Sequence, residues 1–147
     1  MRPAELPASR VYLDIPDCGD PSLPRVLIVD DEPGIRFALK RWFERQKWEV
    51  HEAPDGREAL LLIERETADA AFDLIVTDLH LPGLSGEELL QSLASTRPAL
   101  AAHVILTTGD AVQDAPRDSI LATHPHVLQK PFDLGTLRGA IDRVLGQ

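Results

Sequence analysis

The 147 residues amount to one domain, and a chain of this size buries roughly 70% of the surface its unfolded form exposes, so it holds a core without staples. Apolar residues make up 44% and charged residues 27%, which excludes a collagen-like or wholly disordered chain. With 24 acids against 15 bases the formal net charge is −9, which repels a phosphate backbone and argues against direct nucleic-acid binding.

Cys18 is the only cysteine, so an intrachain disulfide and a Cys-based zinc site are both excluded. No apolar run is long enough for a membrane span, and MRPAELPASR lacks the apolar core of a signal peptide. A soluble cytoplasmic protein without membrane insertion is the expectation. Five of the twelve prolines fall in Met1–Pro24, together with Asp14, Asp17, Gly19 and Asp20. Such a composition reads as a flexible acidic N-terminal extension, residues 1–24, ahead of a domain at 25–147. The competing reading is a short strand, Val11–Ile15, docked on the domain.

From Arg25 onward apolar runs alternate with helical patterns. The runs are Val26–Val29, Trp48–Val50, Leu74–Val76, Val104–Leu106 and Val127–Leu128. Three are continuously apolar, as strands covered on both faces are. Pro33 suits a first helical position, and Ile35, Leu39, Trp42 and Phe43 follow as a stripe at i, i+4, i+7, i+8. Asp55 is a candidate cap for a second helix through Ala59, Leu60 and Ile63. Ser85 begins a third with Leu89, Leu90 and Leu93 inward, and Asp133 caps a last one with Leu134, Leu137, Ile141 and Val144 inward. The fourth is poorly specified, because Pro116 fits only a first turn and Ile120 and Leu121 are nearly its only large anchors. Five strands alternating with five helices predict an α/β fold with a doubly wound five-stranded parallel sheet. Ligands of such sheets sit at the carboxyl ends of the strands.

At those ends stand Asp30-Asp31-Glu32, Thr77-Asp78, Thr107-Thr108-Gly109-Asp110 and Gln129-Lys130-Pro131. Each alone is bland: a cap, a turn former, a solvated lysine. All four ends of a parallel sheet point one way, so the aspartates, a hydroxyl and a lysine converge. Carboxylates crowded in a small site resist ionisation together unless a cation relieves them. Asp30, Asp31 and Asp78 offer hard oxygen donors with no His or Cys at metal spacing, which selects Mg²⁺, with Mn²⁺ as the alternative, over zinc. No glycine-rich phosphate cradle follows the first strand, which argues against flavin or dinucleotide binding. A phosphoryl group is admitted if a metal bridges it to the acids while Lys130 and Thr108 hold its other oxygens. A carboxylate can itself accept that group as an acyl phosphate.

In the motifs VLIVDDEPGIR, DLIVTDLHLPGLSG, VILTTGD and VLQKPFDL, in this order, the chain resembles the receiver domain of two-component response regulators from Arg25 to about Leu145. The resemblance implies the flavodoxin-like strand order 2-1-3-4-5 and a phosphoacceptor domain rather than a conventional enzyme. It implies Asp78 as phosphoacceptor, Asp31 as a direct Mg²⁺ ligand, Asp30 as a ligand through water, and the backbone carbonyl of His80 as the last protein ligand. Thr108 matches the hydroxyl residue, with Thr107 its rival, and Lys130 the lysine, its bond to Pro131 cis. Pro82 and Gly86 match the turn after the phosphoacceptor. The implied partners are a sensor histidine kinase and either a downstream protein or a histidine phosphotransferase. The TTGD run and short closing segment resemble receivers attached to hybrid sensor kinases, and a stand-alone receiver without an output domain is the expectation.

Two departures stand out: Val127 occupies a position where the family often has an aromatic, and the fourth helix is weak. They keep open a degenerate receiver, a binding module that works without phosphorylation. A haloacid-dehalogenase-type phosphatase would want a second Asp where His80 stands. Gly135 and Gly139 in the last helix permit close contact between two copies, hence a homodimer. Trp42 and Trp48 read as packing residues, and His103, His124 and His126 as surface groups. The basic outer face at Arg36, Lys40, Arg41, Arg45 and Lys47 reads as solvated or as a docking surface.

Overall fold

Runs of Val, Ile and Leu with no polar interruption leave a strand nowhere to sit but between two layers, and that is where they lie in the computed structural model, which describes residues 23–66 and 71–146. The strands are β1 (Arg25–Val29), β2 (Glu49–Ala53), β3 (Leu74–Asp78), β4 (Val104–Thr108) and β5 (Val127–Gln129). The helices are α1 (Pro33–Arg45), α2 (Gly56–Glu64), α3 (Gly86–Thr96), α4 (Pro98–Ala101), α5 (Ile120–Thr123) and α6 (Leu134–Leu145), with a 3₁₀ turn at Val112–Asp114. The sheet runs β2-β1-β3-β4-β5 with every pairing parallel, the doubly wound order expected. The expected extension Met1–Pro24 lies outside the described residues up to Ser22, and with it the question of a strand at Val11–Ile15.

Alternation along the strands divides the interior into two cores. Leu27, Val29, Ile75, Val104 and Leu106 face Ala59, Ile63, Leu89 and Leu93 of α2 and α3. Val26, Ile28, Leu74, Val76 and Ile105 face Leu39 and Phe43 of α1 and Leu137, Ile141 and Val144 of α6. Phe43 is fully buried, worth about 2–3 kcal/mol by area. Trp42 and Trp48 meet its ring edge-on at 5.0 and 5.3 Å, so both tryptophans pack as the sequence suggests.

Each expected cap is made. Asp55 accepts from Glu58 N at 2.8 Å and Asp133 from Thr136 N at 2.7 Å. Ser85 and Glu88 form a reciprocal capping box at the start of α3.

Three expectations about the elements need correction, and the fourth helix is as weak as expected. Trp48 does not open β2: its N–H closes the end of α1 on the Phe43 carbonyl, after Lys47 turns the chain at φ 71°, and pairing starts at Glu49. Leu134, the first residue of α6, is 46% exposed, and the buried side of the helix begins only at Leu137. Among the described residues the helices number six rather than five, since Pro98 starts an extra turn, α4, that buries Leu100. The weak fourth helix is reduced to the single turn α5, with no buried residue.

All three histidines assigned to the surface are half-buried, and two of them, His124 and His126, sit where α5 leads into β5. The His124 Nε2 hydrogen-bonds the Val104 carbonyl at 2.7 Å, and the His126 ring stands edge-on to it at 6.0 Å with its Nδ1 buried and unpartnered. Burial holds the pKa of both below the usual imidazole value, against the Val104 bond for His124 and reinforced by His124, Arg143 and His103 for His126. The unfolded chain therefore takes up these protons first as pH falls. Their contribution to stability is intact above the unfolded imidazole pKa of about 6.5 and is lost as pH drops through it toward the lower folded values. The melting temperature is expected to fall between about pH 7.5 and 5.5, and less steeply in His124→Gln; equal slopes in parent and variant would contradict this.

Candidate functional site

The carboxyl ends of β1, β3, β4 and β5 bring the expected residues to one edge. Asp30 follows β1 directly, its N–H held by the Ala53 carbonyl of β2, and its Oδ1 accepts from Glu32 N at 2.9 Å. Asp78 is the last residue of β3, and its Oδ1 accepts from His80 N at 3.3 Å. Lys130 follows β5, and its N–H is bound to the Thr108 carbonyl at 2.6 Å. From there its Nζ donates to Asp30 Oδ2 and Asp78 Oδ2, both at 3.1 Å. The Lys130–Pro131 bond is cis.

Burial makes these contacts strong. Asp30 is 2% exposed and Asp78 7%, while Asp31 beside them faces solvent. Burial pulls the Lys130 pKa down, but hydrogen bonds and charge attraction from Asp30 and Asp78 outweigh it and hold the ammonium above its ordinary value. One ammonium thus serves two buried carboxylates. One carboxylate oxygen from each of Asp30, Asp31 and Asp78 lies within 4.8 Å of the other two. Three acids against one lysine leave a local deficit of two positive charges. Oxygen-only donors with that deficit fit a hard divalent cation and give a soft one nothing to prefer.

Thr108 is fully buried at the end of β4, and its hydroxyl accepts from Asp110 N at 3.0 Å. Thr107, the rival, points by alternation to the opposite face and reaches only the Thr77 carbonyl, at 3.5 Å. The His80 ring stays outside the acid cluster: its Nε2 pairs with Asp110 Oδ2 at 2.7 Å, linking the β3–α3 loop to the loop after β4. Val127 is half-buried and packs with Ile120 against the core on the α2 and α3 side.

The loop after Asp78 is held by backbone contacts that only glycine permits. Gly83 turns it with φ 74°. A Cβ at Gly86 would stand 2.4 Å from the Asp78 carbonyl oxygen, and one at Gly56 would stand 2.1 Å from that of Leu84. Three supporting residues were missed in the sequence. Gly56 reads only as the start of a helix. Arg36, read as part of a basic outer face, donates from Nη1 to the Asp30 carbonyl at 2.6 Å and pairs through Nε with Glu52 at 3.4 Å. Gln129 accepts from Val112 N at 3.0 Å, tying the loop after β4 to β5. A glycine directly after a capping Asp and an arginine one turn past the acids are the signals that point to the first two.

Comparison with known proteins agrees with this geometry. Residues 26–142 match the family model described as response regulator receiver domain. Sporulation initiation phosphotransferase F of Bacillus subtilis is 29% identical over 82% of this chain and 93% of its own length. Response regulator protein PilR of Pseudomonas aeruginosa is 36% identical over 84% of this chain, which spans about a quarter (26%) of PilR. The crystal structure of response regulator protein TrrA from Thermotoga maritima, in complex with Mg(2+)-BeF, superposes with a TM-score of 0.70 at 28% identity, covering 84% of this chain and all of TrrA.

Proposed function

The chain belongs to the response regulator receiver family, and from that premise we propose that Asp78 accepts a phosphoryl group from a sensor histidine kinase and that the phosphorylated domain signals to a protein partner or passes the group to a histidine phosphotransferase. The domain assignment, residues 25–147 as the receiver with 1–24 as an acidic extension, is part of the same reading. The observation that carries it is the single Lys130 ammonium shared by Asp30 and Asp78, with Asp31 alongside. The arrangement holds a nucleophilic carboxylate, a cation and an unmet demand for positive charge in one place.

The step is a displacement at phosphorus. An oxygen of Asp78 bonds to the phosphorus, the bond from phosphorus to the donor's nitrogen or oxygen breaks, and the donor leaves with that electron pair. Lys130 would then exchange part of its contact with Asp78 for a phosphoryl oxygen, and the Thr108 hydroxyl would turn from Asp110 N to another. Asp31 directly, Asp30 through water, Asp78 and the His80 carbonyl would hold Mg²⁺. Bound there, Mg²⁺ supplies charge stabilisation for the oxygens of the transferring group. The domain acts on itself and turns over no separate substrate.

Incubation with acetyl phosphate and Mg²⁺ tests the reading: intact mass should rise by one phosphoryl group, and EDTA should abolish the gain. A chain that binds the metal yet takes up no phosphoryl group would instead be a degenerate receiver. The metal has its own readout. Saturating Mg²⁺ should raise the melting temperature, by about 2.7 kcal/mol of stability at a hundredfold excess over the dissociation constant. Asp31→Ala should melt above the parent in EDTA, because it removes repulsion along with a ligand. Melting curves indifferent to Mg²⁺ would show that the acids do not form a metal site.

Among the described residues no helix is long and apolar enough to cross a membrane. We infer a cytoplasmic location from the need of such a domain to meet its kinase there.

A further inference from the structure

On a chain of net charge −9, the outer side of α1 carries Arg36, Lys40, Arg41 and Arg45 against the single acid Glu44. Arg36 and Lys40 are committed to Glu52. Arg41, Arg45 and Lys47 have no acidic partner among the described residues. Phe37 stands among them 60% exposed, the most exposed large apolar side chain described, with the Arg41 guanidinium 5.6 Å from its ring centroid. A groove of about 700 Å³ runs along this face. Solvated basic side chains alone account for the charge but leave an exposed ring at the centre without a cover.

A complementary segment exists in the same chain. Val11–Asp20, VYLDIPDCGD, carries Asp14, Asp17 and Asp20 at three-residue spacing, four apolar or aromatic side chains and no base. It lies outside the described residues, but the point where it joins the fold, Leu23–Pro24, does not. The Pro24 carbonyl accepts from Glu49 N at 2.8 Å, next to Trp48, whose N–H is bound at the foot of α1. The chain therefore departs from the end of the fold that carries Arg45 and Lys47. Ten extended residues reach about 33 Å, and the thirteen of α1 span about 20 Å, so the segment is long enough to cover the helix.

We propose that the Phe37–Arg41–Arg45 face of α1 is a docking surface for Val11–Asp20 of the same chain. The aliphatic and tyrosine side chains cover Phe37, and the aspartates meet Arg41, Arg45 and Lys47. Each exposed ion pair is worth under about 1 kcal/mol, so the contact depends on the tether, which raises the effective concentration to about the millimolar range. It is correspondingly sensitive to salt, which shortens the reach of charge from about 10 Å at 0.1 M to about 3 Å at 1 M. A partner protein approaching α1 has to displace the segment. The proposal stands independently of phosphoryl transfer.

Cys18, the sole cysteine, provides the probe. A nitroxide attached to it in the isotope-labelled full chain should broaden the amide signals of Phe37, Arg41 and Arg45 at low salt. Broadening should vanish when the nitroxide is reduced, in about 1 M salt, and in the Arg41→Glu/Arg45→Glu double variant, whose exposed positions leave the fold intact. No broadening on α1 at low salt, or broadening that survives charge reversal, overturns the proposal. Spin-labelled chain without isotope, mixed with isotope-labelled chain without nitroxide, reports contact between copies. Equal broadening in that mixture would assign the surface to a second copy and overturn it too.

Discussion

Asp78→Asn is expected to take up no phosphoryl group from acetyl phosphate while melting no lower than the parent. The amide lacks the anionic oxygen that attacks phosphorus, so uptake should disappear rather than decline. The fold should tolerate the change for an electrostatic reason. In the parent Lys130 divides itself between Asp30 and Asp78, both nearly buried, at 3.1 Å each. With Asn at position 78 the ammonium and the Asp30 carboxylate are matched one to one, and a source of repulsion is gone. Intact mass and a melting curve on one sample check both halves. Uptake that persists would move the acceptor to Asp30 or Asp31 and overturn the assignment of Asp78.

Gly86→Ala is expected to be strongly destabilising for so small a substitution. Its added methyl would meet the Asp78 carbonyl oxygen at 2.4 Å and the Leu79 Cα at 2.9 Å, both main-chain atoms with no rotamer through which to yield. Either α3 lifts off the end of β3, losing the bond from Gly86 N to the Leu79 carbonyl, or the strand end shifts. Overpacking of this kind costs about 3 kcal/mol, which for a domain of this size lowers the melting temperature by about 10 °C. Gly34→Ala is the internal control, since nothing lies within 4 Å of a Cβ there and α1 should gain from the better helix former. A Gly86→Ala chain that melts with the parent would remove close packing as the reason for glycine at this position.

The strands and caps were legible because each is specified by a few adjacent residues. Val26–Val29 admits no amphipathic helix, and Asp55, Ser85 and Asp133 each stand immediately before a helical stripe. The acid cluster was legible for a related reason: parallel topology sends every strand end to one edge, so sequence position alone brings Asp30, Asp78 and Lys130 together. Legibility stops where a residue's role depends on a distant partner. Arg25 binds Glu49, Glu66 and the Phe72 ring, and no local pattern announces any of the three. The histidines at 103, 124 and 126 read as surface groups because imidazole is polar, yet all three are half-buried. Leu134 errs in the opposite sense: it continues the apolar stripe of Leu137, Ile141 and Val144, yet stands exposed at the first position of its helix. Trp48 sits in an apolar run whose first residue belongs to a turn set by the backbone of Lys47, and side-chain character does not report that.

The stretch from Gly109 to Ala122 holds one 3₁₀ turn and one helical turn, and none of its residues is buried. Arg117 lies within it, exposed and followed by Asp118. Trypsin should reach that bond while the sheet is intact, since exposed loops with few buried contacts open locally at little cost. Cleavage at that bond alone would give two fragments rather than a ruin. The smaller one carries β5, which keeps its ladder with β4, and α6, whose Leu137, Ala140, Ile141 and Val144 remain in the interior. Lys130 would travel with this fragment and Asp78 with the other, so their ion pair would span the cut. A nicked chain that stays together is then a split protein, in which reassembly of two pieces restores the acid cluster, and the same loop is the natural place to divide the domain for a complementation reporter.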